Sequence, residues 1–259
     1  MSGRVAGMGR WGVRMSWRLG VVVLGCAAFL LLPHRATSAP PPEVIYHHGV
    51  VLTMDDGLPH AEAIAIRNGR IVAVGDNEAV LALRQASTRV VDLRGRTVLP
   101  GFIDSHAHWI GDGNMIGYNA DLAIEAALSR GWTSINEQFV NYDRLDELRA
   151  LDASGRLRLR VNAYLPMNFE DEKFGHWFRG FEPHHTYSPH LRLGGIKLFL
   201  DHDWGAKFHW DQAELDEYVL SAHRVGWQVT AHTISAEALD QYLTAVARAQ
   251  AAHPDPNAR

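Results

Sequence analysis

From Gly101 onward, apolar runs of strand length alternate with amphipathic runs of helix length, and no other feature limits the possible folds so tightly. The strand-like runs are GFIDSHAH (101–108), GWTSINEQF (131–139), LRLRVNAYLP (157–166), GGIKLFLD (194–201) and GWQVTAHT (226–233). Between and after them lie helix-like runs at 120–130, 142–154, 211–225 and 235–252, three of which are followed closely by glycine, as a helix stop predicts. Strands joined by helical crossovers pair in parallel. The strand runs lack strict alternation because helices cover both faces of such a sheet. Two architectures satisfy the pattern, an open doubly wound sheet and a (β/α)8 barrel. No glycine-rich phosphate loop follows the first run, which counts against a nucleotide-binding open sheet. Five strands fit before Arg259. The reading for 101–259 is therefore an α/β fold, a partial (β/α)8 TIM-type barrel of about five βα units.

Residues 40–100 follow a different rhythm. APPPE (39–43) reads as a linker, and short alternating runs follow it. Asn68-Gly69 between two β-rich runs is a hairpin signal, with further turns at Asp56-Gly57 and Arg94-Gly95. This region is expected to form a small antiparallel, sandwich-like β domain, with His47-His48 on its surface. Within residues 1–39, Arg4, Arg10, Arg14 and Arg18 precede an uncharged apolar run from Leu19 to Leu32, and the small-residue stretch ATSA follows. That is the pattern of a secretory signal peptide, cleaved near Ser38. The apolar run is short of the roughly 20 residues of a spanning helix. An uncleaved membrane anchor is the alternative. The expected location is a periplasm or the cell exterior, or the membrane if the segment stays as an anchor. Cys26 is the only cysteine, so a processed chain carries no disulfide and builds any metal site from His, carboxylate or modified Lys. A net charge of −4 gives no reason to expect nucleic acid as a partner. Fifteen histidines make metal chemistry worth testing.

Three strand ends carry candidate ligands. His106 and His108 are two apart, so on a strand they aim to one side while Ala107 faces the other. They also lie at the C-terminal end of their run, where barrel enzymes place their sites. Two converging imidazoles can hold a borderline divalent ion such as zinc. Lys197 sits among Ile196, Leu198, Phe199 and Leu200, where lysine is almost never buried unpaired. A buried amine sheds its charge. The neutral amine can then add carbon dioxide to give a carbamate able to bridge two metal ions. The alternative is a lysine that reaches the strand end or pairs with Asp201 or Asp203. His232 closes a third apolar run, just before a helix whose expected N-cap is Ser235. Trp109, Trp204 and His209 are candidates for substrate contact, Trp109 being equally able to pack beneath the pocket. Glu137 could reach the mouth and receives no role.

VLPGFIDSHAHW resembles the first-strand signature of the metal-dependent amidohydrolase superfamily. IRNGRIVAVG and VVDLRGRTVLPG resemble that family's composite N-terminal part. GGIKLFLD and GWQVTAHTIS resemble the fourth and fifth barrel strands of its branch related to N-substituted formamide deformylase. The resemblance implies that His106 and His108 hold the more buried of one or two divalent ions, that Lys197 is the carboxylated bridging ligand, and that His232 holds the second ion. It implies hydrolysis of a non-peptide, amide-type carbon–nitrogen bond in a small molecule by a metal-activated hydroxide. Deaminase or lyase chemistry on the same scaffold is the alternative. Family members also use a histidine on the sixth strand and an aspartate on the eighth, commonly the proton shuttle. Neither has a place before Arg259. The expectation is a C-terminally incomplete barrel whose catalysis is weak or absent, with open edges that favour pairing into a homo-oligomer.

Overall fold

The computed structural model describes residues 40–111, 119–169, 171–202 and 205–256. The expected signal segment, 1–39, and Trp204 lie outside the described residues. No helix among the described residues is long and apolar enough to cross a membrane.

The first part of the chain forms β1 (Val44–His47), β2 (Val50–Leu52), β3 (His60–Ala61), β4 (Ala63–Arg67), β5 (Arg70–Gly75), the short helix α1 (Asn77–Leu81), β6 (Arg89–Asp92) and β7 (Thr97–Val98). These strands build two sheets, in the orders β5-β4-β1-β6 and β3-β2-β7. The hairpin expected at Asn68-Gly69 joins β4 to β5. Both turn residues have positive φ, +50° and +68°, as a two-residue hairpin turn that follows strand twist requires. The purely antiparallel expectation is corrected: β1 pairs with β6, and β2 with β7, in parallel. Alternating hydropathy marks a strand but carries no direction. The intervening hairpin and α1 let the chain return beside β1 with the same polarity, as a crossover connection does. Ile45, Ala63, Ala65 and Val80 pack into a small core of their own.

The second part delivers the alternation read from sequence. Its main strands are β8 (Phe102–Ala107), β9 (Trp132–Glu137) and β10 (Arg160–Pro166), with α2 (Ala120–Ser129) after β8 and α3 (Tyr142–Ala153) after β9. A small hairpin, β11 (Asn168–Phe169) and β12 (Glu172–Lys173), precedes β13 (Leu191–Phe199). A second one, β14 (Asp201–His202) and β15 (Gly205–Phe208), precedes α4 (Gln212–His223), β16 (Val229–His232) and α5 (Ala236–Ala252). The five long strands form one parallel sheet in the order β16-β13-β10-β9-β8. It curls as the first part of a (β/α) barrel does, which fits the expected fold class.

Local chemistry explains the boundaries. Asn119, Asn141, Asp211 and Ser235 each accept a backbone N–H of the first turn they precede, the N-cap arrangement that starts α2 through α5. The helices expected to stop near Gly131, Gly155 and Gly226 do so, and all three glycines hold φ between +70° and +88°. The core runs from Ala107 to Ala249 and centres on β10 and β13. Fully buried Val161, Leu165, Leu193, Ile196 and Leu198 face helices that bury Leu145, Leu148, Leu151 and Leu215. The two edge strands are less covered. Phe102 and Ile103 of β8 are exposed, as are Leu239, Leu243 and Val246 of α5 beside β16.

Candidate metal centre

All five long strands point the same way, so their C-terminal ends meet at one mouth. His106 is the penultimate residue of β8, His108 lies just beyond it, and His232 ends β16. Lys197 comes from β13, which β10 and β9 separate from the strand that bears His106. The register pairs Lys197 with Thr230 and Phe199 with His232. Partners across a parallel pair share a face, so Lys197 and His232 look to the same side. Chain separations of 91 residues are thereby closed to contact: Lys197 Nζ is 3.3 Å from His106 Nε2, and His108 Nε2 is 3.3 Å from His106 Nε2. The Phe199 ring lies beneath this group, 5.3 Å from Lys197 Nζ and 5.6 Å from the His232 ring.

Electrostatics follow from the burial. Lys197 is completely buried, and loss of solvation pulls its amine down to about 8. His106 and His108 are each pushed down to about 4, first by loss of solvation, then by the positive charges of Lys197 and His232. Asp104 opposes the shift in both. His106 stays exposed on one side, so the solvation loss is milder there than for half-buried His108. The mouth thus holds two imidazoles that are neutral at pH 7 beside an amine close to losing its proton. Each is in or near the state in which nitrogen donates a lone pair to a metal.

Asp201, one alternative partner for Lys197, is engaged elsewhere. Asp201 accepts the N–H groups of Ile234 (2.9 Å) and Ser235 (2.7 Å) and the Ser235 hydroxyl (2.8 Å). Burial pushes the Asp201 carboxyl up, and these three donors outweigh it and hold the group below its ordinary range. Asp201 therefore fixes the turn between β16 and α5, directly after His232. Asp203 lies outside the described residues.

Other sequence candidates fall around the mouth in different ways. Trp109 is half-buried, packs edge-on against Trp132 with ring centres 4.9 Å apart, and carries Arg130 over its ring. Its Nε1 points to Asp104 Oδ2 at 3.4 Å. His209 is buried and has Nδ1 3.0 Å from Asp171 Oδ1.

Sequence reasoning gave no role to three buried polar side chains that hold the ligands' strands. Glu137 is fully buried and accepts the Ile110 N–H at 2.9 Å, pinning the loop that leaves His108. Gly111 lets that loop pass, since a Cβ there would lie 2.4 Å from the Phe139 carbonyl oxygen. Gln138 receives the Thr230 hydroxyl at 2.9 Å and donates its own N–H to Ala107, tying β16 to β8. Asn168 clamps the Phe199 backbone, donating to its carbonyl at 2.8 Å and accepting its N–H at 2.9 Å. The signal available in sequence was an acid and an amide, Glu137-Gln138, near the end of a strand-like run.

A curled parallel sheet with metal-type donors at its C-terminal mouth defines the class of (β/α)-barrel proteins with a metal-site architecture. Within that class, the amidohydrolase family profile matches residues 89–122 and 118–259, and the chain belongs to that family. Among similar proteins is the exoenzymes regulatory protein AepA of Pectobacterium carotovorum subsp. carotovorum, 42% identical over 64 residues, or 25% of this chain and 14% of that protein. The imidazolonepropionase of Symbiobacterium thermophilum is 43% identical over 77 residues, 29% of this chain and 16% of its own length. The N-substituted formamide deformylase of Arthrobacter pascens is 40% identical over 58 residues, 22% of this chain and 11% of its own. The matched segments thus span well under a quarter of each of these relatives. Among solved structures, a metal-dependent hydrolase from Pyrococcus furiosus superposes with a TM-score of 0.67 at 18% identity, covering 80% of this chain and 70% of that one. An N-acyl-D-glutamate deacylase from Bordetella bronchiseptica superposes with a TM-score of 0.53 at 20% identity, over 80% and 49%. Both likenesses concern the fold.

Proposed function

We propose that this chain supplies the metal-binding mouth of a hydrolase that cleaves amide-type, non-peptide carbon–nitrogen bonds in small molecules. The observation that carries the reading is the buried Lys197 amine 3.3 Å from His106, with His108 3.3 Å beyond. Two ligands of a tetrahedral ion with Zn–N bonds of about 2.0–2.1 Å stand about 3.3–3.4 Å apart. The His106–His108 spacing therefore suits a shared ion with little movement, and the Lys197 amine is close enough for its carbamate to reach the same ion. Histidine nitrogens with a carbamate oxygen favour a borderline metal, zinc foremost. His106 and His108 would hold one ion, and His232, facing the same side as Lys197, would serve a second. A metal ion bound here would supply an activated water nucleophile and polarise a carbonyl oxygen.

The chain's own residues prepare that chemistry. A neutral imidazole carries the lone pair that a metal ion accepts. The Lys197 amine, drawn down to about 8 by burial, can attack carbon dioxide, forming an N–C bond and releasing one proton to give a carbamate anion. That anion would replace a buried positive charge by a bridging negative one, offsetting the charge of the ions. Glu137, Gln138 and Asp201 act as positioning residues by fixing the loops and strands that bear the histidines. Support for carbon–nitrogen chemistry comes from family membership and from a relative named for deformylating N-substituted formamides. The arginine-led apolar pattern of residues 4–32 supports export.

Zinc analysis and turnover of a formamide and amide panel test the proposal. Intact chain should bind zinc that His106→Ala and Lys197→Ala release. A mass increase of about 44 Da on Lys197, lost on acidification, would identify the carbamate. Unchanged zinc content in both variants would overturn the ligand assignment.

A further inference from the structure

A second group of potential ligands lies far from Lys197 in sequence, where β1 ends beside β6. His47, the last residue of β1, is the register partner of Asp92, the last residue of β6. Side chains of successive strand residues point to opposite faces, so His48 should turn away from His47. It does not. His48 holds φ at +54°, in the left-handed region that side chains seldom adopt. Its backbone is locked there, the N–H donating to Asn77 Oδ1 at 2.7 Å and the carbonyl accepting from Gly95 at 2.7 Å. The reversal brings the two imidazoles together, ring centres 4.2 Å apart and tilted by 56°. His48 Nδ1 then lies 3.5 Å from Asp92 Oδ1. One donor atom from each of His47, His48 and Asp92 fits within a mutual span of 4.8 Å.

Hydrogen bonding leaves part of this cluster unsatisfied. His47 Nδ1 is shielded from solvent and has no hydrogen-bond partner. Asp92 Oδ1 accepts the Arg94 N–H at 2.8 Å, which fixes the carboxylate against the His48 side of the corner. A shielded ring nitrogen without a partner, a second imidazole turned toward it by an uncommon backbone conformation, and a held carboxylate are what a cation would use.

We propose that His47, His48 and Asp92 form a second divalent-metal site, separate from the mouth and selective for borderline first-row ions such as zinc. Two imidazoles and one carboxylate suit zinc, nickel or copper and are a poor match for magnesium or calcium, which take oxygen donors. Three protein ligands leave at least one coordination position to water. The site would tie the β1 end to the β6 end and hold the turn that carries His48.

The experiment uses the full chain carrying His106→Ala and Lys197→Ala, so that zinc at the mouth does not contribute and the two readings can fail separately. Zinc binding to this chain, stripped of metal, is followed by calorimetry, with magnesium as the hard-ion control. One equivalent of zinc and no magnesium binding is expected. Asp92→Asn should weaken zinc by at least about 10-fold, the loss typical even of groups one step removed from a metal. His48→Gly is the decisive variant, because glycine accepts the positive φ and keeps the backbone while deleting the ring. It should fold as well as the parent, by circular dichroism and thermal melting, and lose the zinc. His60→Ala, at an exposed histidine on β3, should retain it. No zinc binding in the mouth-deleted chain, or binding unchanged by both Asp92→Asn and His48→Gly, would overturn the proposal.

Discussion

The mouth of the five-stranded sheet and the corner of the four-stranded sheet each bring two histidines together, by opposite means. At the mouth the histidines are two positions apart at the end of a strand, and ordinary β geometry suffices to aim them together. The third group is a lysine whose charge burial has weakened. At the corner the histidines are adjacent, and only the positive φ of His48 brings their rings into contact. The third group there is a carboxylate, 49% exposed at its side chain. The mouth is thus prepared by removing charge, and the corner by twisting backbone beside a fixed negative charge. Desolvation on that scale comes from a large core, and the larger of the two clusters lies around β10 and β13.

The contrast can be broken most directly at Lys197. Lys197→Met should cost the mouth at least about 100-fold in zinc affinity, above the usual loss for groups behind the ligands. It should leave thermal stability unchanged or higher, since methionine carries no charge to bury. Zinc at the corner should be unaffected. A fall in stability with zinc retained would mean that Lys197 serves packing.

The cores can be compared next. Leu148→Ala removes a fully buried side chain from the large core, and Ile45→Ala does so in the cluster with Ala63, Ala65 and Val80. Both belong to a class costing about 2–5 kcal/mol. Leu148→Ala should fall in the upper part of that range and Ile45→Ala in the lower, because a small cluster under short strands collapses more readily onto the gap. Urea unfolding measures both, and the reverse order would refute the comparison. Asp201→Asn should come third, at about 1–3 kcal/mol, because an amide cannot accept all the donors of Ile234 and Ser235. Its effect should appear first as fraying of α5 in hydrogen exchange.

The smallest effect concerns pH, in metal-free protein. His106 and His108 stand at about 4 in the folded chain against an ordinary 6.5. Between those values the unfolded chain binds more protons. Stability should therefore fall as pH drops from about 6.5 toward 4, and level off below. Lys197, at about 8 against 10.5, gives the same sign in its own window, so stability should rise from pH 8 toward 10.5. Urea midpoints across these ranges check both limbs. A His106→Ala/His108→Ala chain should lose most of the acid limb, and persistence of that limb would assign it elsewhere.

Much of this was legible in sequence. All five long strands and four helices of the second part lie within a few residues of the runs that hydropathy marked, and Ser235 caps α5 as expected. The histidines at strand ends were visible because polar residues that close apolar runs stand out. Other features were not. Strand direction in the first part escaped because periodicity is blind to polarity. Glu137, Gln138 and Asn168 escaped because their partners lie on other strands, or across a loop, at distances no local window spans. The corner escaped for a backbone reason: two adjacent histidines on a strand should diverge, and nothing in HHG announces that the first imidazole will meet the second.

The sequence by itself determined the alternation of strands and helices, the places where they stop, and the residue types at each strand end. Those are consequences of short-range sterics, capping and side-chain hydration. Only the tertiary structure decided which strand ends are neighbours, that Lys197 loses its solvent completely, and that Asp201 turns to the α5 terminus rather than to the lysine. Those outcomes depend on how distant segments exclude water from one another, and that exclusion sets which groups remain charged.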